Sequence, residues 1–239
     1  QAFQGLLDAS HRNVKTRDRK SGQVPTRLLL VRAVEVANQD LWMEYMKRQQ
    51  EIRLAIGVER VERFVLATQV GDANVEGKLD SIDHDPRCAA VGDHLTPTLD
   101  ETVNEVLLFH GTSPIAGEQI SRGNFRVNLA GSTTGTLYGR GIYLAENASK
   151  SDEYAPEDPD TGHHTLLVCR TTLGRVRYTS ARSPDPRECE DACQSGSFHS
   201  VLGDRRRCRG TYREFVLFDE EQVYPNFILT YRRYYGEVR

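Results

Sequence analysis

The amino-terminal part of the chain contains one strand pattern followed by one helix pattern. Residues 26–36, TRLLLVRAVEV, are rich in leucine and β-branched residues, which predicts a β-strand. Residues 41–56 have the periodicity of an amphipathic helix, and Asn38 or Asp40 can cap its first turn. The apolar residues on one face of that helix are Leu41, Tyr45, Ile52 and Ile56.

From residue 106 onward, short strand patterns dominate. The predicted strands are residues 106–111, 141–145, 164–173, 174–179, 211–219 and 226–233. The predicted helices are residues 113–123 and 147–154, with a glycine-rich loop at 124–135 between them. Because regular helical crossovers do not separate these strands, the pattern predicts an α+β fold with antiparallel sheets and surrounding helices.

The chain divides into a polar lead and one larger domain. Residues 8–24 are rich in charge and have no periodicity, which predicts a flexible amino-terminal extension over residues 1–25. Residues 26–235 are then expected to form a single domain. Within it, residues 57–104 carry scattered Gly, Asp, Asn and Pro, and they stay unassigned as an insertion-like segment. Because the chain begins with Gln1 rather than methionine, we expect it to be a piece of a longer protein.

Charge and hydropathy argue against two classes of partner. The formal net charge of the 239 residues is −3, whereas a general electrostatic grip on nucleic acid needs an excess of Lys and Arg. No stretch approaches the ~20 consecutive apolar residues of a membrane-spanning helix, so we expect no membrane partner. The first 21 residues are polar and basic, so they do not have the pattern of a secretory signal.

The five cysteines are too few and too unevenly spaced to predict a disulfide framework. Cys189, Cys193, His199 and Cys208 cluster in the sequence, but their spacing is uncommon for zinc. A zinc site, a local disulfide and free thiols are the three interpretations, and free thiols are the simplest. The cysteine usage indicates a reducing, intracellular compartment, cytoplasmic or nuclear.

A histidine and a glycine end the strand at residues 106–111. His110 follows the apolar run VLLF and precedes Gly111, which places it where a sheet edge meets a cleft. A core histidine bonded to backbone is one interpretation. A ligand site is the other, because glycine lets a ligand approach the backbone, and a primary carboxamide can bond to both N–H and C=O.

The segment YGRGIYLAENASKSDEY, residues 138–154, places aromatic rings and a hydroxyl on adjoining elements. Tyr143 lies on the predicted strand, whereas Ser151 and Tyr154 lie three residues apart on one face of the predicted helix. Such rings can pack as core, or they can hold a flat heterocycle whose amide bonds to the serine. The glycines do not form a Rossmann or P-loop motif in a strand-to-helix context, so those nucleotide sites are not predicted.

Glu214 is the acidic residue inside the predicted strand TYREFVLFD. Strand alternation places it on one face with Tyr212, Val216 and Phe218. Burying a carboxylate among apolar residues is costly unless it is paired or functional. The alternative is an edge strand on which Glu214 points to solvent.

Taken together, these motifs resemble the catalytic domain of the poly(ADP-ribose) polymerases, the diphtheria-toxin-like ADP-ribosyltransferases. The resemblance extends from about Leu28 to Tyr231. The segments that carry it are HGT at 110–112, YGRGIYLAENASKSDEY at 138–154 and YREFVLFDEEQVYPNFILTY at 212–231. The segments that are similar to tankyrase-like members lie at 166–175, 198–203 and 222–231. The resemblance implies an α+β ADP-ribosyltransferase fold in which two antiparallel sheets form a cleft.

The resemblance also implies roles for individual residues. His110, Tyr143 and Glu214 are expected to be catalytic, with Glu214 bonding the nicotinamide ribose and aiding the attacking hydroxyl. The residues expected to bind NAD are His110, Gly111, Thr112, Tyr143, Ser151 and Tyr154. NAD is expected to be consumed as a substrate. No metal is expected, because residues 155–164 contain no cysteine where tankyrases carry a zinc-binding loop.

The implied activity is cleavage of the nicotinamide–ribose bond of NAD and transfer of ADP-ribose to a macromolecular acceptor. Glu214 favours poly(ADP-ribose) chain formation, because family members that transfer a single unit commonly have an apolar residue there. Transfer of a single unit is the alternative, and an inactive NAD-binding scaffold is an alternative of another class. The expected acceptor is a protein, with self-modification included, and a nucleic-acid acceptor is left open.

Overall fold

The computed structural model describes residues 1–19, 22–57, 99–127 and 136–236. Its helices are α1 (Ala2–Ser10), α2 (Gln39–Ile56), α3 (Pro114–Gly123), α4 (Ala148–Ser151), α5 (Pro186–Gln194) and α6 (Arg205–Arg209). Its strands are β1 (Arg27–Glu35), β2 (Glu105–Thr112), β3 (Ile142–Leu144), β4 (His164–Thr172), β5 (Val176–Thr179), β6 (Ser200–Asp204), β7 (Arg213–Leu217) and β8 (Val223–Tyr234). Short 3-10 turns lie at Glu101–Val103, Asp152–Tyr154 and Glu220–Gln222.

The strands form two four-stranded sheets. The first sheet has the order β1-β8-β4-β2, and its neighbouring strands are antiparallel. The second has the order β3-β7-β6-β5, in which β5 and β6 run parallel. The prediction of an α+β fold built on two sheets is confirmed, but the expectation that both sheets are antiparallel is wrong for the β5–β6 pair. The parallel pair is reached through the connection that contains α5, because parallel neighbours need a crossover rather than a hairpin.

The facing sides of the two sheets share one cluster of buried apolar side chains. Its members include Val106, Leu108, Leu167 and Cys169 of the first sheet and Ile142, Leu144, Leu202, Phe215 and Leu217 of the second. Strand β4 lies inside the first sheet, and all of its residues are buried. A strand covered on both faces needs a nearly continuous apolar run, which the LLVC segment of β4 supplies.

A backbone bridge joins the two sheets near the carboxyl end of β2. Phe109 donates its N–H to the carbonyl oxygen of Ala145 (2.8 Å), and Ala145 donates to that of Phe109 (2.9 Å). Ala145 directly follows β3, so the bridge fixes the end of β2 beside the end of β3. The bridge therefore brings His110, the next residue on β2, close to Tyr143 on β3.

The first 19 residues, expected to belong to a flexible extension, fold onto the domain instead. Helix α1 buries Leu6 and Leu7 in an apolar cluster on the outer face of the first sheet. Residues 11–19, which we call the N-terminal strap, continue across the domain, and Arg19 pairs with the buried Asp152. Two of the charges in this segment, those of Asp18 and Arg19, are thus satisfied by distant residues, which a local sequence pattern cannot show.

Helix α2 follows its sequence prediction. The side chain of Asn38 accepts a hydrogen bond from the N–H of Leu41 and caps the helix, and the whole predicted apolar face is buried. The helix predicted at 147–154 is shorter than expected, because it consists of α4 and a 3-10 turn at Asp152–Tyr154.

Several sequence predictions fall outside the described residues. Residues 58–98, most of the segment left unassigned, are among these, as are Cys88 and residues 128–135 of the glycine-rich loop. None of the described helices combines the length and the apolar character that crossing a lipid bilayer requires.

Candidate active site

His110 lies at the junction of the two sheets. Its Nδ1 is 2.9 Å from the carbonyl oxygen of Tyr143, and because a carbonyl only accepts, Nδ1 must carry the proton. Burial lowers the pKa of His110, although the bond to Tyr143 opposes this, so the ring is neutral near pH 7. The ring of Phe125 meets the imidazole edge-on at 5.0 Å. The second nitrogen, Nε2, has no hydrogen bond within the described parts of the chain and can accept one.

Gly111 is the point at which β2 and α4 touch. A Cβ on residue 111 would lie 1.8 Å from the carbonyl oxygen of Ser151, so the chain's own backbone fills the space of a side chain. The Ser151 hydroxyl donates to the carbonyl oxygen of Phe109 (2.9 Å), which fixes α4 over the strand. From the sequence, this glycine was predicted to let a ligand approach the backbone. In the structure, its first role is to let the helix approach.

The backbone of Gly111 still faces an open edge of the sheet. Strand β2 is the last strand of its sheet, and Phe109 uses its outward N–H and C=O to bond to Ala145. Because backbone groups in a strand alternate between the two edges, the N–H and C=O of Gly111 point outward as well. A donor and an acceptor thus lie side by side, next to the Ser151 hydroxyl.

The hydroxyl of Tyr143 is fixed by two backbone groups. It accepts a hydrogen bond from the N–H of Tyr138 (2.9 Å) and donates one to the carbonyl oxygen of Gly139 (2.9 Å). Gly139 has a φ of 105°, which glycine adopts without strain. Burial raises the pKa of Tyr143, so its hydroxyl stays protonated and can donate to Gly139. The ring is therefore held in one orientation by its outer end.

The hydroxyl of Tyr154 is fixed by two charged side chains instead. It donates to Oδ2 of Asp18 (2.9 Å) and accepts from Nζ of Lys150 (3.0 Å). The Lys150 ammonium also lies 4.7 Å from the centre of the Tyr154 ring. Burial acts to raise the pKa of Asp18, but Lys150 and Tyr154 lower it below its ordinary value, so this carboxyl is ionised.

Glu214 and Lys150 form an ion pair at the base of the site. Oε1 of Glu214 is 3.3 Å from Nζ of Lys150, and both side chains are almost fully buried. Burial acts to lower the pKa of Lys150, but Glu214, Tyr154 and Glu153 raise it above its ordinary value, so the ammonium stays charged. The sequence left open whether Glu214 is buried with a partner or exposed on an edge strand. In the structure, its carboxylate is buried and paired with Lys150.

A cavity of about 310 Å³ opens beside Glu214. Its lining includes residues 15–18 of the N-terminal strap and Arg205 and Arg209 of α6. Among the described residues, no carboxylate lies within ion-pair distance of Lys15, Arg205 or Arg209. The cavity therefore presents unpaired positive charge to whatever enters it.

The structure thus gathers most of the residues expected to be functional. His110, Gly111, Tyr143, Ser151, Tyr154 and Glu214 are connected through the contacts above. Thr112 is placed differently: a Cβ on Gly117 would lie 3.4 Å from its methyl group, so this methyl packs toward α3. Lys150 and Asp18 were missed by the sequence analysis. The spacing of four residues from Lys150 to Tyr154 was a usable signal, whereas Asp18 gave none.

The cysteines lie next to this site, because Cys189 belongs to a buried apolar cluster against which Tyr143 and Cys193 pack. The described cysteines, Cys169, Cys189, Cys193 and Cys208, are free thiols, and burial raises the pKa of Cys193 to about 12. Nδ1 of His199 accepts from the N–H of Arg175 (3.0 Å). Within the described ranges, no group of three or more His, Cys, Asp or Glu side chains is arranged to hold a metal ion.

Comparison with known proteins gives a consistent result. The family model described as the poly(ADP-ribose) polymerase catalytic domain matches residues 11–233. The human protein mono-ADP-ribosyltransferase PARP12 is 32% identical over 134 residues, which are 55% of this chain and 18% of that protein. The mouse protein mono-ADP-ribosyltransferase PARP11 is 25% identical over 142 residues, 54% of this chain and 43% of that protein.

A third relative is a Dictyostelium discoideum protein named probable poly(ADP-ribose) polymerase. It is 28% identical over 130 residues, which are 54% of this chain and 34% of that protein. The chain spans less than half the length of each of these three relatives.

Proposed function

The chain belongs to the poly(ADP-ribose) polymerase catalytic domain family, and we propose that it transfers single ADP-ribose units from NAD to a protein acceptor. Its domain is an NAD-consuming ADP-ribosyltransferase domain. The family match over residues 11–233 contains His110, Tyr143 and Glu214, and this observation carries the proposal of ADP-ribose transfer from NAD. Because the chain spans less than half of the relatives described above, the activity and acceptor of the whole protein belong to the proposal.

The nicotinamide end of NAD is proposed to bind at the open edge of β2. The outward N–H and C=O of Gly111 offer the donor and acceptor that a carboxamide needs. The Ser151 hydroxyl, which donates to Phe109, keeps acceptor capacity for the carboxamide N–H. The rings of Tyr143 and Tyr154 supply flat faces for the heterocycle. Nε2 of His110, which has no protein partner among the described residues, can accept from a ribose hydroxyl.

Glu214 is proposed to assist the reaction at the ribose carbon. When the glycosidic bond breaks, its electron pair leaves with nicotinamide, and the ribose carbon becomes oxocarbenium-like. The Glu214 carboxylate can stabilise that positive charge and orient the attacking group. Lys150 contacts Oε1 of Glu214, which leaves Oε2 for a ribose hydroxyl or for the acceptor. The acceptor is proposed to enter through the cavity beside Glu214, where positive charge favours an acidic protein segment.

Single transfer is preferred over chain formation because two relatives, human PARP12 and mouse PARP11, are named mono-ADP-ribosyltransferases. Glu214 by itself favours chain formation, and the Dictyostelium relative is named a probable polymerase. Polymer synthesis is therefore the second candidate. None of these three names is that of a tankyrase, so the finer similarity to tankyrase-like members is not part of the proposal.

Labelled NAD tests the proposal directly. The purified chain is incubated with NAD labelled in the adenylate part, and the products are separated on a denaturing gel. We expect one discrete labelled band on the protein itself or on an added protein, and its loss in Glu214→Gln. The matched control is Glu118→Gln, which changes an exposed acid on α3 and should leave the band unchanged.

Other outcomes separate the alternatives. A ladder of products that depends on Glu214 would replace single transfer by polymer synthesis. Label on added RNA or DNA but not on protein would overturn the protein acceptor. Tight NAD binding without release of nicotinamide would contradict the enzyme and favour a scaffold.

A further inference from the structure

The N-terminal strap is fastened to α4 and to the 3-10 turn after it, which carry Ser151 and Tyr154. At one end, the N–H of Arg12 donates to the hydroxyl of Ser149 (2.9 Å). At the other end, the guanidinium of Arg19 donates to Asp152 (2.7 Å) and to the carbonyl oxygen of Ser149 (2.9 Å). Only 2% of the Arg19 side chain and none of the Asp152 side chain is exposed. The strap is therefore fixed to the fold at both of its ends.

The anchor at Asp152 is itself tied to the first sheet. Tyr231 on β8 donates to Oδ1 of Asp152 (2.5 Å), and Arg233 on the same strand donates to the same oxygen (2.8 Å). A buried carboxylate with three such partners has one stable position. The strap thus holds its place through Asp152 and Ser149. The Tyr212 hydroxyl, at the wall of the cavity, adds to this hold, because it lies 2.9 Å from the carbonyl oxygen of Arg12 and 3.2 Å from that of Val14.

Asp18 lies between these anchors and reaches the active site. Its Oδ2 accepts from Nζ of Lys150 (2.9 Å) and from the hydroxyl of Tyr154 (2.9 Å). Tyr154 is 136 positions away in the chain. Because other residues already fasten the strap, these two bonds place active-site side chains rather than the strap.

The Lys150 ammonium has more oxygen neighbours than protons to give. It has three N–H donors, and its neighbours are Asp18 (2.9 Å), Glu153 (3.0 Å), Tyr154 (3.0 Å) and Glu214 (3.3 Å). Glu214 is the most distant of the four. Removing the charge of Asp18 frees the ammonium to move toward Glu214, which pairs that carboxylate more tightly and withdraws it from a ribose hydroxyl.

Asp18 also determines how the Tyr154 ring is held. The opposing ring of Tyr143 is fixed by backbone groups, which no side-chain change can remove. The Tyr154 hydroxyl instead depends on Asp18 for its acceptor. A ring that is oriented before a ligand arrives costs less entropy when the ligand stacks on it.

We propose that Asp18 is a positioning residue of this active site, which orients the Tyr154 ring for nicotinamide and holds Lys150 at its working distance from Glu214. The inference rests on the proposed function. The strap then helps to position active-site side chains, as the two sheets do.

The test compares Asp18→Asn with Asp8→Asn. Both aspartates are 33% exposed and ion-paired, but Asp8 pairs with Arg27 on β1, away from the site. Benzamide, a mimic of nicotinamide, is titrated by calorimetry, and nicotinamide release from NAD gives kcat and KM. We expect Asp18→Asn to raise the Kd of benzamide by roughly tenfold and to lower kcat, whereas Asp8→Asn changes each by less than about twofold. Thermal unfolding midpoints should be similar in the two variants.

A double-mutant cycle separates positioning from a general structural effect. Tyr154→Phe removes the hydroxyl through which Asp18 acts on the ring, so Asp18→Asn should weaken benzamide binding much less in that background. Asp18→Glu, which keeps the charge, should recover part of the lost affinity. Benzamide binding equal in Asp18→Asn and Asp8→Asn would overturn the inference, as would fully additive effects in the cycle.

The wild-type chain supplies the remaining comparison. If the wild-type chain binds benzamide and releases nicotinamide, and Asp18→Asn changes neither, the positioning role alone is refuted. A wild-type chain that neither binds benzamide nor releases nicotinamide would refute the proposed function, and the positioning role with it.

Discussion

The carbonyl oxygen of Ser151 occupies the space where a side chain on Gly111 would begin, because a Cβ there would lie 1.8 Å from that oxygen. The contact is with backbone, so no side-chain rotation can relieve it. Strand β2 and helix α4 can therefore pack together only through a glycine.

We expect Gly111→Ala to separate α4 from β2 and to lower the free energy of unfolding by more than ~2 kcal/mol. Urea unfolding measures the change, and benzamide titration should show lost binding. Gly5→Ala is the control, since nothing lies within 4 Å of a Cβ on Gly5 in α1. That change should stabilise the chain by ~0.5–1 kcal/mol. A Gly111→Ala variant as stable as the wild type would contradict the close packing.

Tyr143→Phe should cost both stability and affinity. The change removes the partner of the Tyr138 N–H and of the Gly139 carbonyl, which should destabilise the fold by ~1–3 kcal/mol. The freed ring should also raise KM for NAD. Tyr178→Phe is the comparison. The Tyr178 hydroxyl also makes a hydrogen bond, to Asp204, but the Tyr178 residue is 38% exposed, so losing this bond should cost less. Equal urea midpoints for the two variants would show that the Tyr143 hydroxyl does not fix its loop.

Arg209→Glu should impair the acceptor step more than NAD cleavage. Reversing an unpaired charge in the cavity beside Glu214 repels an acidic acceptor, so labelling of an acidic test peptide should fall by about tenfold or more. Release of nicotinamide to water should fall less. Arg187→Glu reverses an exposed charge on α5 and serves as the control. Peptide labelling that is insensitive to Arg209→Glu and to added salt would show that acceptors do not use this cavity.

His199 gives the fold a component of stability that depends on pH. Burial, with Arg175 and Arg48 nearby, lowers the pKa of His199 from 6.5 to about 4. Because the unfolded chain binds this proton more readily, the component is complete above pH 6.5 and is lost as the pH falls toward 4. His199→Asn keeps an acceptor for the Arg175 N–H but does not titrate. Between pH 7 and pH 5, this variant should lose ~1–2 kcal/mol less stability than the wild type. Urea titrations at both pH values measure the loss for each protein, and equal losses in the wild type and in His199→Asn would rule out a role for His199.

Local patterns were enough to predict the elements with strong periodicity. The buried face of α2 and its Asn38 cap follow directly from the spacing of apolar residues and from the polar residue before them. Strand β4 is predicted because a buried strand needs an apolar run. Strand β6 was not predicted, because it is five residues long and contains Gly203 and Asp204, which weaken a strand pattern.

The candidate site was predicted where its residues lie in recognisable motifs. Gly111 was identified as a site residue, but the packing of α4 against it was not predicted. That contact joins residues 40 positions apart, so the local sequence does not show it. The position of Asp18 depends on anchors at Ser149 and Asp152, more than 100 residues away in the chain. Sequence periodicity reports neighbours within a few turns, so a contact of this kind has no local signal.

The pairing of β1 with β8 has a consequence for biosynthesis. In the first sheet, β1 is hydrogen-bonded to no described strand other than β8, and Thr26 bonds to Tyr234, 208 positions later. During translation, β1 therefore stays unpaired while the ribosome makes nearly all of the domain, for about 10–40 s at ordinary elongation rates. Closing so large a loop is slow, so the sheet forms late. A nascent chain that has not yet reached β8 lacks the strand whose Tyr231 and Arg233 anchor Asp152, so we expect the site to be complete only after β8 has been made.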